Sequence, residues 1–280
     1  MPYRTILLCL NETSRITALC DAASLIAGED GALVRGLYVV PAAQIYPSTG
    51  FEAVPQIFEG QQAFFRKALE PSRTEFEARM AANQTKAEFF SIDGRSPLIS
   101  DEIISHGKTA DLIILGAPAT SDVSGVEVDC AERVLVGAGR PVLILPREGG
   151  STLELSTAVI GWDGGREAAR AVFDSLPLLT AAKSVQVVCV DPSGEPHVTK
   201  EDPGRRLIAS LARHGITAQS RAIRSGPSNS GRALLAYASE QNAGFLVMGA
   251  YSHSRLREFV FGGATKSVLA ELNRPVLMSH

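Results

Sequence analysis

Apolar residues recur along this chain in short runs of strand length, separated by stretches in which they recur at helical period. In the first half the runs predict strands near residues 4–10, 32–40, 86–91, 112–115 and 141–145. In the second half they predict strands near 157–162, 184–190, 217–223, 245–248 and 275–278. Several runs are continuously apolar rather than alternating, as in parallel strands covered on both faces. Between them lie helical stripes: Ile16, Leu19, Cys20, Ala23 and Ala27 form one, and Ala169, Val172, Phe173, Leu176 and Leu179 the other, with a kink expected at Pro177. Phe58, Phe65, Leu69, Phe76 and Met80 mark a longer helix that Pro71 should bend or divide. Strand–helix alternation of this kind predicts doubly wound α/β sheets with right-handed crossovers.

The pattern occurs twice. TILLCLNETSR at Thr5 lines up with TAVIGWDGGRE at Thr157, DLIILGAP at Asp111 with GFLVMGAY at Gly244, and RPVLILP at Arg140 with RPVLMSH at Arg274. The anchors keep their order, which implies a tandem duplication: one domain over residues 1–147, REGGS as a short linker, and a second over 151–280. Each holds one five-stranded parallel sheet, and each is long enough to bury its own core. The first half carries extra residues at 41–60, with Tyr46 and Phe51, readable as a covering loop or as a lid. In the second half the matching region is a Pro- and Gly-bearing loop at 191–204, followed by a helix over 205–214.

Hydrophobic residues are 45% and charged residues 20% of the chain, a globular mixture. A formal net charge of -3 argues for neither nucleic acid nor an anionic membrane as partner. No apolar run reaches the ~20 residues of a membrane span. The start, MPYRTILLCLNETSR, reads as a first strand and not a signal peptide. Cys9, Cys20, Cys130 and Cys189 have no CxxC spacing and lie in apolar segments, so we expect reduced, buried thiols in a cytoplasmic protein.

Candidate chemistry concentrates in residues 244–267, GFLVMGAYSHSRLREFVFGGATKS. An apolar strand stops at Gly249, a polar loop follows, and the pair Gly262–Gly263 precedes a helix-forming run from Ala264. Glycines admit an anion close to backbone N–H groups, and a helix start offers unpaired donors and a positive dipole end. The alternative is a strand-to-helix connection whose glycines serve only its turns. In an open α/β sheet ligands bind beyond the carboxyl ends of the strands where strand order reverses. There the second half would collect Asp163, Gly164 and Gly165 on one side and residues 249–263 on the other. Asp163 suits a helix N-cap. Arg255 and Arg257 would offset phosphate charge or stand solvated in the loop, and His253 reads as a ligand contact or a surface imidazole. GGATKS lacks the spacing of a Gly-x4-Gly-Lys-Ser/Thr loop, and no Gly-x-Ser-x-Gly or HExxH occurs. No catalytic or metal site is predicted.

GAYSHSRLREFVFGGATKSVL resembles the C-terminal signature of the universal stress protein family, Gly-x2-Gly-x9-Gly-Ser/Thr. The matching positions are Gly249, Ser252, Gly262 and Gly263: the end glycines agree, while Ser252 replaces a glycine and Gly263 a hydroxyl residue. Thr265 and Ser267 lie close enough to supply a hydroxyl. The resemblance covers both halves and implies an adenine nucleotide alpha hydrolase-like, Rossmann-like fold. It also implies a stress-response role and a regulatory adenine nucleotide such as ATP, accompanied by Mg²⁺, held by Asp163, Gly249, Ser252, Gly262, Gly263, Ala264 and Thr265. An Asp at position 163 would lie beside the adenosine. In the first half Ala119, Asp129 and Cys130 stand at the motif positions counted from Gly116, and Asn11 replaces the Asp, so that half resembles a degenerate copy. The last strands, as apolar edges, should pair with each other in an internal pseudo-dimer with an approximate two-fold. A further homodimer of whole chains is compatible with this. Two other readings stay open: a nucleotide-independent interaction module with vestigial pockets, and a slow ATPase.

Overall fold

The computed structural model describes residues 2–28, 31–42, 55–117, 126–147, 152–191, 204–225, 229–251 and 263–280. These form two compact units, Tyr3–Arg140 and, with Pro2, Pro141–His280.

The first unit runs β1 (Thr5–Cys9), a single 3-10 turn (Thr13–Arg15), α1 (Ile16–Ala27), β2 (Leu33–Val40), α2 (Pro55–Ala82), β3 (Ala87–Asp93), α3 (Ile99–Gly107), β4 (Leu112–Gly116) and α4 (Cys130–Gly137). Its strands are parallel in the order β3-β2-β1-β4. β1 and β4 are apolar throughout because helices cover both faces, and Ile6, Leu7, Leu8, Leu112, Ile113 and Ile114 are fully buried. The α1 stripe is buried as its spacing predicts.

The second unit contains β5 (Val142–Leu145), β6 (Thr157–Gly161), α5 (Arg166–Asp174), α6 (Leu176–Ala181), β7 (Ser184–Asp191), α7 (Arg205–Arg213), β8 (Ala218–Arg224), α8 (Ser230–Glu240), β9 (Phe245–Gly249), α9 (Gly263–Ala270) and β10 (Val276–Ser279). The order is β5-β10-β9-β6-β7-β8. All neighbours are parallel except β5 and β10, which pair antiparallel with Leu143 opposite Leu277. The expected pairing of the two RPVL strands is therefore present. Both are buried along their whole length, and this bond places β5, the last strand of the first repeat, in the second unit. The arginine before each of them repeats one task. Arg140 donates from Nε and Nη2 to the Lys108 carbonyl just past α3, and Arg274 donates to the Ala243 carbonyl past α8.

Two expectations, both at prolines, need correction. α2 continues through Pro71 undivided. Pro71 is exposed, and the hydroxyls after it bond back along the helix, Ser72 to the Ala68 carbonyl at 2.7 Å and Thr74 to that of Glu70 at 2.9 Å. Pro177 does not kink a helix. The chain breaks at Ser175, and Pro177 falls in the first turn of α6, where its missing N–H costs nothing. That break rotates the buried face onto Ala168, Ala171, Val172, Leu178 and Leu179, leaving Phe173 46% exposed beside His214. The 41–60 insertion lies largely outside the described residues; its end forms the start of α2.

All four cysteines are free; Cys9, Cys20 and Cys130 are buried and Cys189 partly so. Burial holds the Cys9 and Cys130 thiols well above their ordinary range, and burial with the nearby Asp21 and Glu75 charges pushes Cys20 up to about 12.

Candidate functional site: the carboxyl edge of each sheet

Strand order reverses between β1 and β4 in the first unit and between β6 and β9 in the second. At the second reversal Gly161 pairs with Met248, so β6 and β9 end side by side. Trp162 continues the ladder by donating its N–H to the Val188 carbonyl at 2.9 Å. Asp163 comes next, exposed, and its Oδ1 accepts the Gly165 N–H at 2.8 Å. This is a side-chain turn two residues long, not the helix cap its position suggested. The residue at the head of α5 is Gly165, which makes no side-chain cap bond. The turn requires the left-handed backbone of Gly164, at φ +75°.

Opposite, Gly249 ends β9 for a reason the motif did not contain. A Cβ there would lie 2.4 Å from the Ala168 amide nitrogen, 2.6 Å from the Glu167 carbonyl carbon and 2.9 Å from Glu167 Cβ. The strand end thus rests directly on the first turn of α5. Glu167 is 1% exposed, with Oε1 accepting from Arg166 Nε and Nη2 at 3.0 and 2.7 Å. Sequence reasoning missed Glu167, although the repeat alignment sets it opposite Arg15. Beyond Gly249, Ala250 N–H bonds the Ser279 carbonyl, and Tyr251 adopts φ +55°.

α9 begins at Gly263, and among the described residues nothing lies within 4 Å of where its Cβ would be. Thr265 is buried, and its Oγ1 accepts the Tyr251 N–H at 3.1 Å, tying the loop's start to the helix that ends it. Ser267 Oγ accepts from Asn229 Nδ2, while Asn229 Oδ1 caps α8 at the Arg232 N–H, 3.0 Å away. Both hydroxyls suggested as replacements for the motif's missing one already have backbone or side-chain partners. Ala264 packs against Gly231, where a Cβ would lie 2.4 Å from the Ala264 carbonyl oxygen. The structure therefore brings Asp163, Gly249, Gly263, Ala264 and Thr265 to the edge of one sheet. Ser252 and Gly262, with His253, Arg255 and Arg257, lie outside the described residues.

The first unit's edge is filled by its own side chains. Asn11 is buried and bridges to β2, donating to the Val39 carbonyl at 2.7 Å and accepting its N–H at 3.1 Å. Arg15 and Glu12 are each only 8% exposed. A Cβ on Gly116 would lie 2.8 Å from Arg15 Nη1 and 3.5 Å from Glu12 Cγ. The repeat thus holds a buried guanidinium at Arg15 where the second unit holds the buried carboxylate of Glu167. Asp129 is exposed and paired with Arg133 at 2.8 Å. Ala119 lies outside the described residues.

No protein-family model matches the sequence, and no curated protein matches it significantly. Solved structures do. A universal stress protein from Archaeoglobus fulgidus shares 17% identity and superposes with a TM-score of 0.69, covering 99% of this chain and 98% of that one. The chain has the fold of a two-domain universal stress protein. A Pseudomonas aeruginosa protein of unknown function superposes at 0.59 with 15% identity, over 99% of this chain and 92% of that one. A provisionally assigned universal stress protein from the same species superposes at 0.60 with 15% identity, over 99% and 93%. Within this universal stress protein fold, among the described residues, no three His, Cys, Asp or Glu side chains gather as metal ligands, and no helix is long and apolar enough to cross a membrane.

Proposed function

We propose that the chain is a tandem universal stress protein of the cytoplasm, acting in a stress response, and that its second unit holds ATP or a related adenine nucleotide as a regulatory ligand. The contrast between the two sheet edges carries this reading. The first is filled by Asn11, Glu12 and Arg15, whereas at the second Asp163 is exposed and a Cβ on Gly263 would meet nothing among the described residues. Asp163 suits the ribose hydroxyls, and the first turn of α9 with the glycine-bearing loop suits phosphate. Mg²⁺ would enter with the phosphates and neutralise their charge, since the buried Glu167 carboxylate is already paired with Arg166. The test is native mass spectrometry of freshly purified protein. A resident nucleotide mass supports the proposal. A bare chain that also takes up no nucleotide at millimolar concentration overturns it, and a diphosphate accumulating from ATP and Mg²⁺ would replace it with a slow ATPase.

One observation favours the second reading, an interaction module with vestigial pockets. β5 and β10 are wholly buried in their antiparallel pairing, so the last strands already serve assembly without any ligand. Under that reading Ser252→Gly with Gly263→Ser would create nucleotide binding that the natural chain lacks.

A further inference from the structure

Charge is unevenly spread over the second unit. Residues 203–239 hold six arginines and no aspartate or glutamate. Arg232 in α8 pairs with Glu271. The other five, Arg205, Arg206 and Arg213 on α7 and Arg221 and Arg224 on β8, are all exposed. Arg205 and Arg213 make no ion pair among the described residues. Arg221 lies along its own strand, donating from Nη1 to the Ser220 carbonyl at 3.2 Å and from Nη2 to Gln219 Oε1 at 2.9 Å. β8 ends the strand order, and among the described residues β7 is its one strand neighbour. Side chains alternate along it, so Arg221 belongs to one face with Gln219 and Ile223, and Arg224 to the other with Ala218, Ser220 and Ala222. β7 brings one acid to this edge, Asp191, opposite Arg224 in register.

β3 holds the same place in the first unit, and there the charges are balanced from within. Glu88 pairs with Arg35 at 2.7 Å and Asp93 with Arg66 at 2.9 Å. Arg35 and Arg73 also lie over the rings of Phe90 and Phe89, 4.8 and 5.6 Å from their centroids. A terminal strand dressed in this way resists the addition of another strand. β8 has the exposed arginines without their counter-charges.

We propose that β8 is a docking edge for an extended acidic peptide segment of another protein, which adds to the sheet as a further strand. Backbone bonds along the edge would supply affinity, and carboxylates meeting Arg221 on one face and Arg224 on the other would supply selection. The arginines of α7, which packs on β8, extend the positive field over the same end of the unit. A second copy of the chain suits the edge less well, because β8 against β8 brings like charges together. A nucleic acid would satisfy the arginines but offers no strand.

The experiment is fluorescence anisotropy with the full chain and three labelled probes. The first is a peptide of Thr and Val with Asp and Glu at the spacing of Arg221 and Arg224. The second is the same peptide with proline at alternate positions, and the third a single-stranded oligonucleotide of equal charge. The first should bind, more weakly as salt rises, and the other two at least about tenfold less well. Arg221→Glu with Arg224→Glu, checked for folding by circular dichroism, should weaken the first peptide at least about tenfold. Hydrogen exchange should show it protecting residues 217–225 and leaving 87–93 unchanged. No binding of the first peptide would overturn the proposal, as would equal binding of the proline peptide or of the charge-reversed variant. Tighter binding of the oligonucleotide would also overturn it, in favour of a nucleic-acid surface. Nucleotide binding at the Asp163 edge is a separate measurement, and neither result bears on the other.

Discussion

Gly249→Ala separates a structural glycine from a ligand-binding one. The added Cβ would meet three atoms of α5 at 2.4, 2.6 and 2.9 Å, all closer than real Cβ contacts come. They belong to residues 167 and 168 of a helix, so no side-chain rotation relieves them. Either α5 moves away from β9 by about an ångström or the strand end twists, and both loosen the packing of α5, whose Ala168, Ala171 and Val172 are all buried, on β9. Overpacking of a tight interface costs about 1–3 kcal/mol, and with immovable backbone on the far side we expect the upper part, about 2–3 kcal/mol. For a protein of this size that corresponds to a loss of about 3–5 °C in Tm. Urea unfolding followed by far-UV circular dichroism gives the global value. Fluorescence of Trp162, the one tryptophan of the chain, reports from the end of the adjacent β6. Gly263→Ala is the control, because its Cβ meets nothing among the described residues, and it should unfold within about 0.5 kcal/mol of wild type. If Gly249→Ala unfolds with wild type, or both variants fall equally, the close approach of β9 to α5 is not what requires this glycine.

Titration calorimetry with ATP and Mg²⁺ should give one site per chain, and two equivalent sites would refute the filled first edge. Gly262→Val should weaken nucleotide binding by about 2 kcal/mol, the worth of one charge-assisted contact, while Ser252→Gly should bind equally or more tightly. Thr265→Ala should cost about 1–2 kcal/mol of stability, by leaving the Tyr251 N–H without its acceptor, and Thr265→Ser should recover most of it; a loss of nucleotide affinity alone would point to a ligand role instead. The hydrogen bonds from Arg79 to Asp21, 2.6 Å to each carboxylate oxygen, hold the Asp21 carboxyl below its usual value. A depressed folded value means the α1–α2 clasp stabilises above the unfolded Asp value of about 3.9 and is lost as pH falls below it. The stability difference between wild type and Asp21→Asn should therefore be present at neutral pH and shrink in acid; the partly exposed pair keeps the effect small.

The repeat and its elements are written locally in the chain. Continuous apolar runs such as LIIL and FLVM state a strand buried on both faces wherever they end up, and the stripe Ile16, Leu19, Cys20, Ala23 and Ala27 states which side of α1 faces inward. The pairing of the two RPVL strands was legible for the same reason: an apolar edge has to be covered by something. Breaks in a pattern are harder to read. Pro71 and Pro177 carry the same steric rule, yet one lies within a continuous helix and the other in the first turn of a new one.

The sheet edges show where sequence alone stops. That Gly249 is a glycine was plain, but that its Cα rests on the backbone of residues 167 and 168 depends on how β9 and α5 are stacked. Their contact spans about eighty positions of chain. Arg15 and Glu167 occupy one place in the repeat with opposite charge, and only burial made either significant. Glu127 lies outside every motif, and it caps α3, accepting the Ile99 and Ser100 N–H groups, because folding brings the lead-in to α4 across the start of that helix. Periodicity is a property of neighbours in sequence, so it determined strands, helices and the duplication. Which backbone atoms lie within hydrogen-bond or van der Waals reach depends on the three-dimensional packing of whole elements, and that packing decided that Asn11, Glu12 and Arg15 fill the first sheet edge.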